Sequence, residues 1–235
     1  MILDNKRIVI VGGSSGIGLS LSEQLLAEGS EVVIASRSLD KLLTAKKKLN
    51  DEVSTCELDA SDEKSVIKFF SKIGSFDHLV VTIKPDHLVS PFNESNVIDA
   101  KQAFDSKFWG QYHLVRHGLK NISACGSIVL TSGIASARSY KGFSGTAAIN
   151  GAIESLIKSL SGEISPVRIN AVSPGFIERH DDDNDRLNTV KSLGARPPIN
   201  RLGTPKEVAE AYLYLLKNEY STGSVLILDG GELCV

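Results

Sequence analysis

The sequence has little cysteine, three in 235 residues: Cys56, Cys125 and Cys234. None forms a Cys-x-x-Cys pair, which leaves zinc and redox-motif readings little to rest on. An odd count without a framework suits a reducing cytosol. The chain also lacks an excess of one charge, with 26 Lys and Arg against 28 Asp and Glu. That balance exerts no global pull towards nucleic acid or a membrane surface. Long apolar runs are missing too. The opening MILDNKRIVIVGG is apolar for only five residues before two glycines, too short for a signal peptide or a span. His113 and His117 stand at i, i+4, but no third ligand and no His-Glu-x-x-His accompany them, so no metal is expected. No linker, repeat or low-complexity block divides the chain. The expectation is one cytoplasmic domain over 1–235, large enough to need no metal or disulfide staple, with no nucleic-acid or membrane partner.

What is present is a rhythm. Short β-branched runs at 7–11, 31–35, 53–58, 78–83, 126–132, 167–172 and 224–228 alternate with helical patterns at 16–29, 38–50, 61–73, 97–121, 146–162 and 204–216. Within 16–29, Ile17, Leu21 and Leu25 recur at four-residue spacing, one face of a helix. Pro205 falls in the first turn of another. Apolar strands each followed by a helix predict an α/β fold, a parallel sheet covered on both sides. The stretch at about 176–201 breaks the rhythm. It holds Asp181, Asp182, Asp183 and Asp185, read as a solvated loop, and the pair Pro197-Pro198.

The first strand runs into Gly12-Gly13-Ser14-Ser15-Gly16-Ile17-Gly18 and then a helix. Glycines there let backbone approach a pyrophosphate, and the helix start offers free N–H donors and partial positive charge. The spacing is Gly-x-x-x-Gly-Ile-Gly, which resembles the short-chain dehydrogenase/reductase family. The resemblance extends along nearly the whole chain, through Leu58-Asp59-Ala60, Asn170-Ala171-Val172-Ser173-Pro174-Gly175, Arg201-Leu202-Gly203, Thr222-Gly223 and Asp229-Gly230-Gly231. It implies a doubly wound Rossmann sheet of seven parallel strands in the order 3-2-1-4-5-6-7, with a substrate lid at about 176–201. It implies cofactor contacts at Gly12, Ser14, Ser15, Gly16, Ile17, Gly18, Asp59, Ala60, Thr82, Pro174, Gly175 and Ile177. The second strand ends Ala35-Ser36-Arg37-Ser38. An enzyme that prefers NAD has a carboxylate here, whereas an Arg suits the 2′-phosphate of NADP(H). Ser36, Arg37 and Ser38 are therefore assigned to NADP(H).

The family's chemistry, by the same resemblance, uses a Tyr, a Lys four residues later, a Ser on the fifth strand and an Asn in the preceding long helix. The four-residue spacing places cation and phenol on one helix face. Without that help a phenol is a poor acid at neutral pH. Here Ser132 retains the serine position. Gly142 and Thr146 align with the Tyr and the Lys. Four residues beyond Tyr112, Tyr140, Tyr212, Tyr214 and Tyr220 stand Arg116, Ser144, Leu216, Asn218 and Ser224, so Tyr-x-x-x-Lys is missing. Lys107 takes the Asn position, and Val81-Thr82-Ile83-Lys84 replaces an Asn-Asn-Ala-Gly motif. The candidate catalytic residues are Ser132, Lys107 as a source of charge, and Tyr140 as a replacement acid.

The resulting expectation is an NADPH-dependent reductase of a small carbonyl compound with a non-standard proton relay. The alternatives are an isomerase or dehydratase, or a cofactor-binding sensor or subunit without turnover. Phe104, Phe108, Trp109 and Tyr112, and the apolar 224–228 with the tail Leu233-Cys234-Val235, resemble the family's interfaces and imply a homodimer or homotetramer.

Overall fold

The computed structural model describes residues 2–85, 89–178 and 186–235. Seven strands lie in one sheet: β1 (Arg7–Val11), β2 (Glu31–Ser36), β3 (Ser54–Glu57), β4 (Phe76–Val81), β5 (Ile122–Thr131), β6 (Arg168–Pro174) and β7 (Val225–Leu228). Every pairing is parallel and the order is β3-β2-β1-β4-β5-β6-β7. This is the parallel sheet that the alternating pattern predicted, doubly wound in the order that the resemblance implied. Its strand order reverses between β1 and β4, where the carboxyl ends of the strands leave a crevice for a ligand.

The helices cover both faces, which is why the strands read as apolar without alternation. Helices α1 (Gly16–Ala27), α2 (Leu39–Lys48) and α8 (Pro205–Lys217) bury Leu21, Leu25, Leu42, Val208, Tyr212 and Leu216 on one side. Helices α3 (Glu63–Ile73), α4 (Val97–Ala103), α5 (Gly110–Gly118) and α6 (Ser144–Glu163) bury Val66, Phe69, Ala103, Leu114, Ile149 and Ile153 on the other. Local chemistry fixes the starts. The Asp62 carboxylate accepts from the N–H groups of Lys64 and Ser65, and Thr204 with Glu207 forms a reciprocal capping box with Pro205 at the first turn.

Two expectations need amendment. The pattern over 97–121 predicted one unbroken helix, but a π-helical turn, Phe104–Trp109, joins α4 to α5. The carbonyl of Lys107 there accepts from the side chain of Gln111, which also pairs with both the N–H and the C=O of Thr131 on β5. The wide turn is thereby clamped to the sheet. Within the stretch read as irregular, Arg186–Ser192 forms a further helix, α7. The acidic run Asp181, Asp182, Asp183 and Asp185 lies outside the described residues.

Candidate functional site

The glycine turn sits at the carboxyl end of β1. Gly12 has φ +94°, and a Cβ there would stand 2.5 Å from Thr82 Oγ1. A Cβ on Gly18 would stand 2.4 Å from the Gly12 carbonyl oxygen. Both glycines let helix, turn and β4 close on one another. Gly16 differs: its φ is +51°, and beyond its chain neighbours and its own helix no atom lies within 4 Å of a Cβ. The Ser15 side chain makes no capping bond to the first turn of α1. The turn therefore offers backbone donors and open space on one side, which fits a dinucleotide pyrophosphate. Ser14 and Ile17 flank it half-buried and Ser15 is exposed.

The other assigned positions hold more varied posts. Thr82 Oγ1 donates to the Val11 carbonyl at 3.2 Å, so it seals the turn from behind. Ser36 is half-buried at the end of β2 and Arg37 is exposed beside it. The Ser38 hydroxyl accepts from Lys41 N–H and caps α2. Asp59 Oδ1 accepts from the N–H and the hydroxyl of Ser61, at 3.0 and 2.7 Å, and Ala60 is buried under Gly110. Pro174 ends β6. A Cβ on Gly175 would stand 2.8 Å from Asp229 Cα, so that glycine permits close packing after β7. Ile177 bridges to Gly203 and its carbonyl accepts from Arg186 Nε at 2.8 Å.

At the end of β5, Ser132 is buried. Among the described residues its hydroxyl reaches only the Val172 carbonyl, at 3.5 Å, too long a contact to hold it. Lys107, on the π-turn, is 4 % exposed. Its Nζ donates to the Ser132 carbonyl at 2.8 Å and to Asn150 Oδ1 at 2.7 Å. Asn150 Nδ2 donates in turn to the Gly133 carbonyl at 3.0 Å, which fixes the amide with its oxygen towards the lysine. Burial pushes the Lys107 amine down to about 7, opposed by the field of Glu154. Glu154 lies one turn beyond Asn150 on α6 and accepts from Ser136 at 2.7 Å.

The structure brings Ser132 and Lys107 together but not Tyr140. Tyr140 is buried in a satellite cluster with Ile134, Val190 and Leu202, its ring edge-on to Phe176. Its hydroxyl donates to Glu232 Oε1 at 3.3 Å. Glu232 is fully buried and also accepts from Arg138 Nη1 at 2.9 Å and from Arg196 N–H at 2.6 Å. Burial and the Glu232 charge push the phenol above its ordinary value. Its proton is engaged by a carboxylate and is harder to release than a free phenol's. Gly142 precedes α6, at φ +83° against the Ser90 backbone, and the residue of α6 that meets Lys107 is Asn150, one turn after Thr146. His113 and His117 turn to Ala60 and Glu63.

A family model described as enoyl-(acyl carrier protein) reductase matches residues 11–232. The chain belongs to the short-chain dehydrogenase/reductase family. The 3-oxoacyl-(acyl-carrier-protein) reductase FabG of Chlamydia muridarum is 32% identical, over 98% of this chain and 98% of that protein. The short-chain dehydrogenase/reductase ATR9 of Stachybotrys chlorohalonatus is 30% identical over 96% of each. A small-chain dehydrogenase solved in complex with NADPH is 35% identical, with a TM-score of 0.82, and the match covers 99% of this chain and all of that one. At the floor of the cleft the lysine comes from the long helix and its amide partner from α6. Sequence reading missed Asn150 in this role, although a lone amide in the buried stripe Ile149, Ile153, Ile157 is a signal for it. Glu232 gave no such signal.

Proposed function

We propose that this protein reduces a small carbonyl compound with NADPH. The observation that carries the reading is the open face of the glycine turn at Gly16, at the same edge of the sheet as Ser132 and Lys107. The relative solved with NADPH, alike over its whole length, supports the cofactor. NADPH supplies a hydride when bound. Gly12 to Gly18 hold the pyrophosphate by backbone N–H groups, and Arg37 pairs with the 2′-phosphate through its planar fork. Asp59 and Ala60 border the adenine, and Pro174, Gly175 and Ile177 the nicotinamide. The Ser132 hydroxyl, held by no short bond, turns to the substrate oxygen and orients it. The lid expected at about 176–201 is described only at 176–178 and 186–201, and the molecule works in the cytoplasm as a single-domain protomer of a homodimer or homotetramer.

A second reading, NADP binding without ordinary carbonyl reduction, is favoured by one observation, the engagement of Tyr140 by Glu232. Fluorescence titration with NADPH, followed by a panel of ketones and enones, separates the two. Binding with oxidation of NADPH supports the reductase. Binding without oxidation above background supports the sensor or subunit, and no binding rejects both.

A further inference from the structure

The floor of the cleft holds a lysine with no carboxylate against it. Among the described residues no ion pair includes Lys107, and its Nζ is shared by two neutral oxygens, those of Ser132 and Asn150. An ammonium has three N–H donors and no acceptor, so the charged form has one donor left over. The neutral amine has two N–H donors, which match these two oxygens, and a lone pair. The site is thus built to accept either form of the nitrogen without moving an atom. Such indifference is uncommon at a buried cation, which ordinarily sits against an opposite charge.

Both partners are themselves fixed. Asn150 is tied to the Gly133 carbonyl, and a side chain at Gly133 would stand 2.9 Å from Asn150 Nδ2. The Ser132 N–H donates to Val172 in the sheet at 2.9 Å. Lys107 itself rises from the π-turn clamped by Gln111. The nitrogen is held at the backbone carbonyl of Ser132, whose hydroxyl the reductase reading turns to the substrate, while Tyr140 is engaged elsewhere.

We propose that Lys107 is the proton donor of the reduction and that Asn150 is the positioning residue that holds its nitrogen at Ser132. This rests on the reductase reading above. A carbonyl that gains a hydride at carbon, and so two electrons, places a full charge on oxygen. One N–H bond of Lys107 breaks, one O–H bond forms on that oxygen, and the alcohol leaves. The amine stays behind neutral, bonded to its two oxygens, and takes its next proton from water. Overall the carbonyl is reduced, NADPH is oxidised and one proton is consumed.

The titration of Lys107 supports this, since burial draws it down to about 7 and an acid is most effective near the working pH. Of the charged groups around it, Glu154 on α6 is the one whose field opposes that shift, and its carboxylate is bonded to Ser136.

The test compares the unaltered protein with Asn150→Asp, Lys107→Arg and Lys107→Met. Carbon-13 labelling of the lysine side chains reads the titration without cofactor or substrate. One lysine should titrate near neutrality and vanish in Lys107→Met. Asn150→Asp places a carboxylate on the ammonium and should raise that titration by about 1–3 pH units. The high-pH fall in kcat should move up with it. Lys107→Arg keeps the charge but cannot release a proton, so turnover should drop by about 10²–10⁴-fold while NADPH still binds. A lysine titrating at its ordinary value would overturn the proposal. So would a kcat profile that stays put while the Asn150→Asp titration moves, or full turnover in Lys107→Arg, and either leaves the reductase reading standing. No turnover in the unaltered protein sinks that reading and this proposal together.

Discussion

Lys107 and Asn150 meet from two different helices, Nζ to Oδ1 at 2.7 Å, with no ion pair to Lys107 among the described residues. Burying the amine there has a cost in stability. The folded chain holds the Lys107 proton down to about 7 rather than the ordinary 10.5, so the unfolded chain binds it more tightly. Stability present above the unfolded value is lost as pH falls towards the folded one, and no more is lost below it. The unaltered protein should lose about 1.4 kcal/mol per pH unit relative to Lys107→Met between about pH 10 and about pH 7. Urea unfolding across that range measures it, and parallel curves would refute it.

Cofactor choice should rest on Arg37. NADPH should bind more tightly than NADH by on the order of 1.5–3 kcal/mol, one charge-assisted contact. Arg37→Ala should weaken NADPH and leave NADH nearly unchanged. Equal affinities in the unaltered protein, by fluorescence titration, would count against the assignment.

Tyr140 should behave as a structural residue. Tyr140→Phe removes one hydrogen bond to Glu232, which keeps Arg138 and Arg196, so stability should fall by about 1 kcal/mol with kcat unchanged. Glu232→Ala strips three donors of their acceptor and should cost on the order of 3 kcal/mol. A large drop in kcat in Tyr140→Phe, at unchanged cofactor affinity, would return the phenol to the mechanism.

Acid should act through His78. This buried side chain pairs its Nδ1 with Ser127, and its Nε2 has no partner among the described residues. Burial draws its pKa from 6.5 to about 4, with Arg168 and Lys6 adding to the effect and Asp77 opposing it. The neutral ring is therefore favoured by folding. Stability should fall by about 3 kcal/mol as pH drops from 6.5 to about 4. His78→Gln should abolish that slope in urea titrations, and an unchanged slope would rule His78 out.

Assembly should involve the outer face of the long helix. Trp109 and Tyr112 are exposed there and stack edge-to-face at 5.4 Å. Light scattering at micromolar concentration should give a dimer or tetramer, and Trp109→Glu should lower the mass. A monomer in the unaltered protein would refute this.

The sheet was legible because its signal is repeated. Inner runs such as RIVIV and EVVIA bury both faces, so pattern and packing agree there, while the edge strands β3 and β7 stay partly open. The glycine turn was legible because only glycine tolerates the closeness at Gly12 and Gly18. The cleft floor was harder to read. Lys107 could be named, but its partner could not, because Lys107 and Asn150 are brought together by a helix crossing and not by spacing along the chain. The setting of Tyr140 was hidden for the same reason: it lies near α6 in sequence, while its hydroxyl meets Glu232, 92 residues away. The π-turn had no signal, since one wider turn barely disturbs an apolar stripe.

That wide turn at Phe104–Trp109 has a consequence for how the molecule can vary. A π-turn takes one residue more than an α-turn at nearly the same total rotation, so it holds the helices on either side in phase. Lys107 lies inside the turn, while Gln111, Trp109 and Tyr112 follow at or after its end. A single deletion inside the turn would return it to α geometry with α5 in nearly its present phase, but would lose the wide turn that Gln111 clamps. A single insertion, or a deletion outside the turn, would rotate the residues beyond it by about 100°. The inner chemistry and the outer surface therefore share one phase, and the loop-like tolerance to length changes found elsewhere on a surface does not extend to this helix.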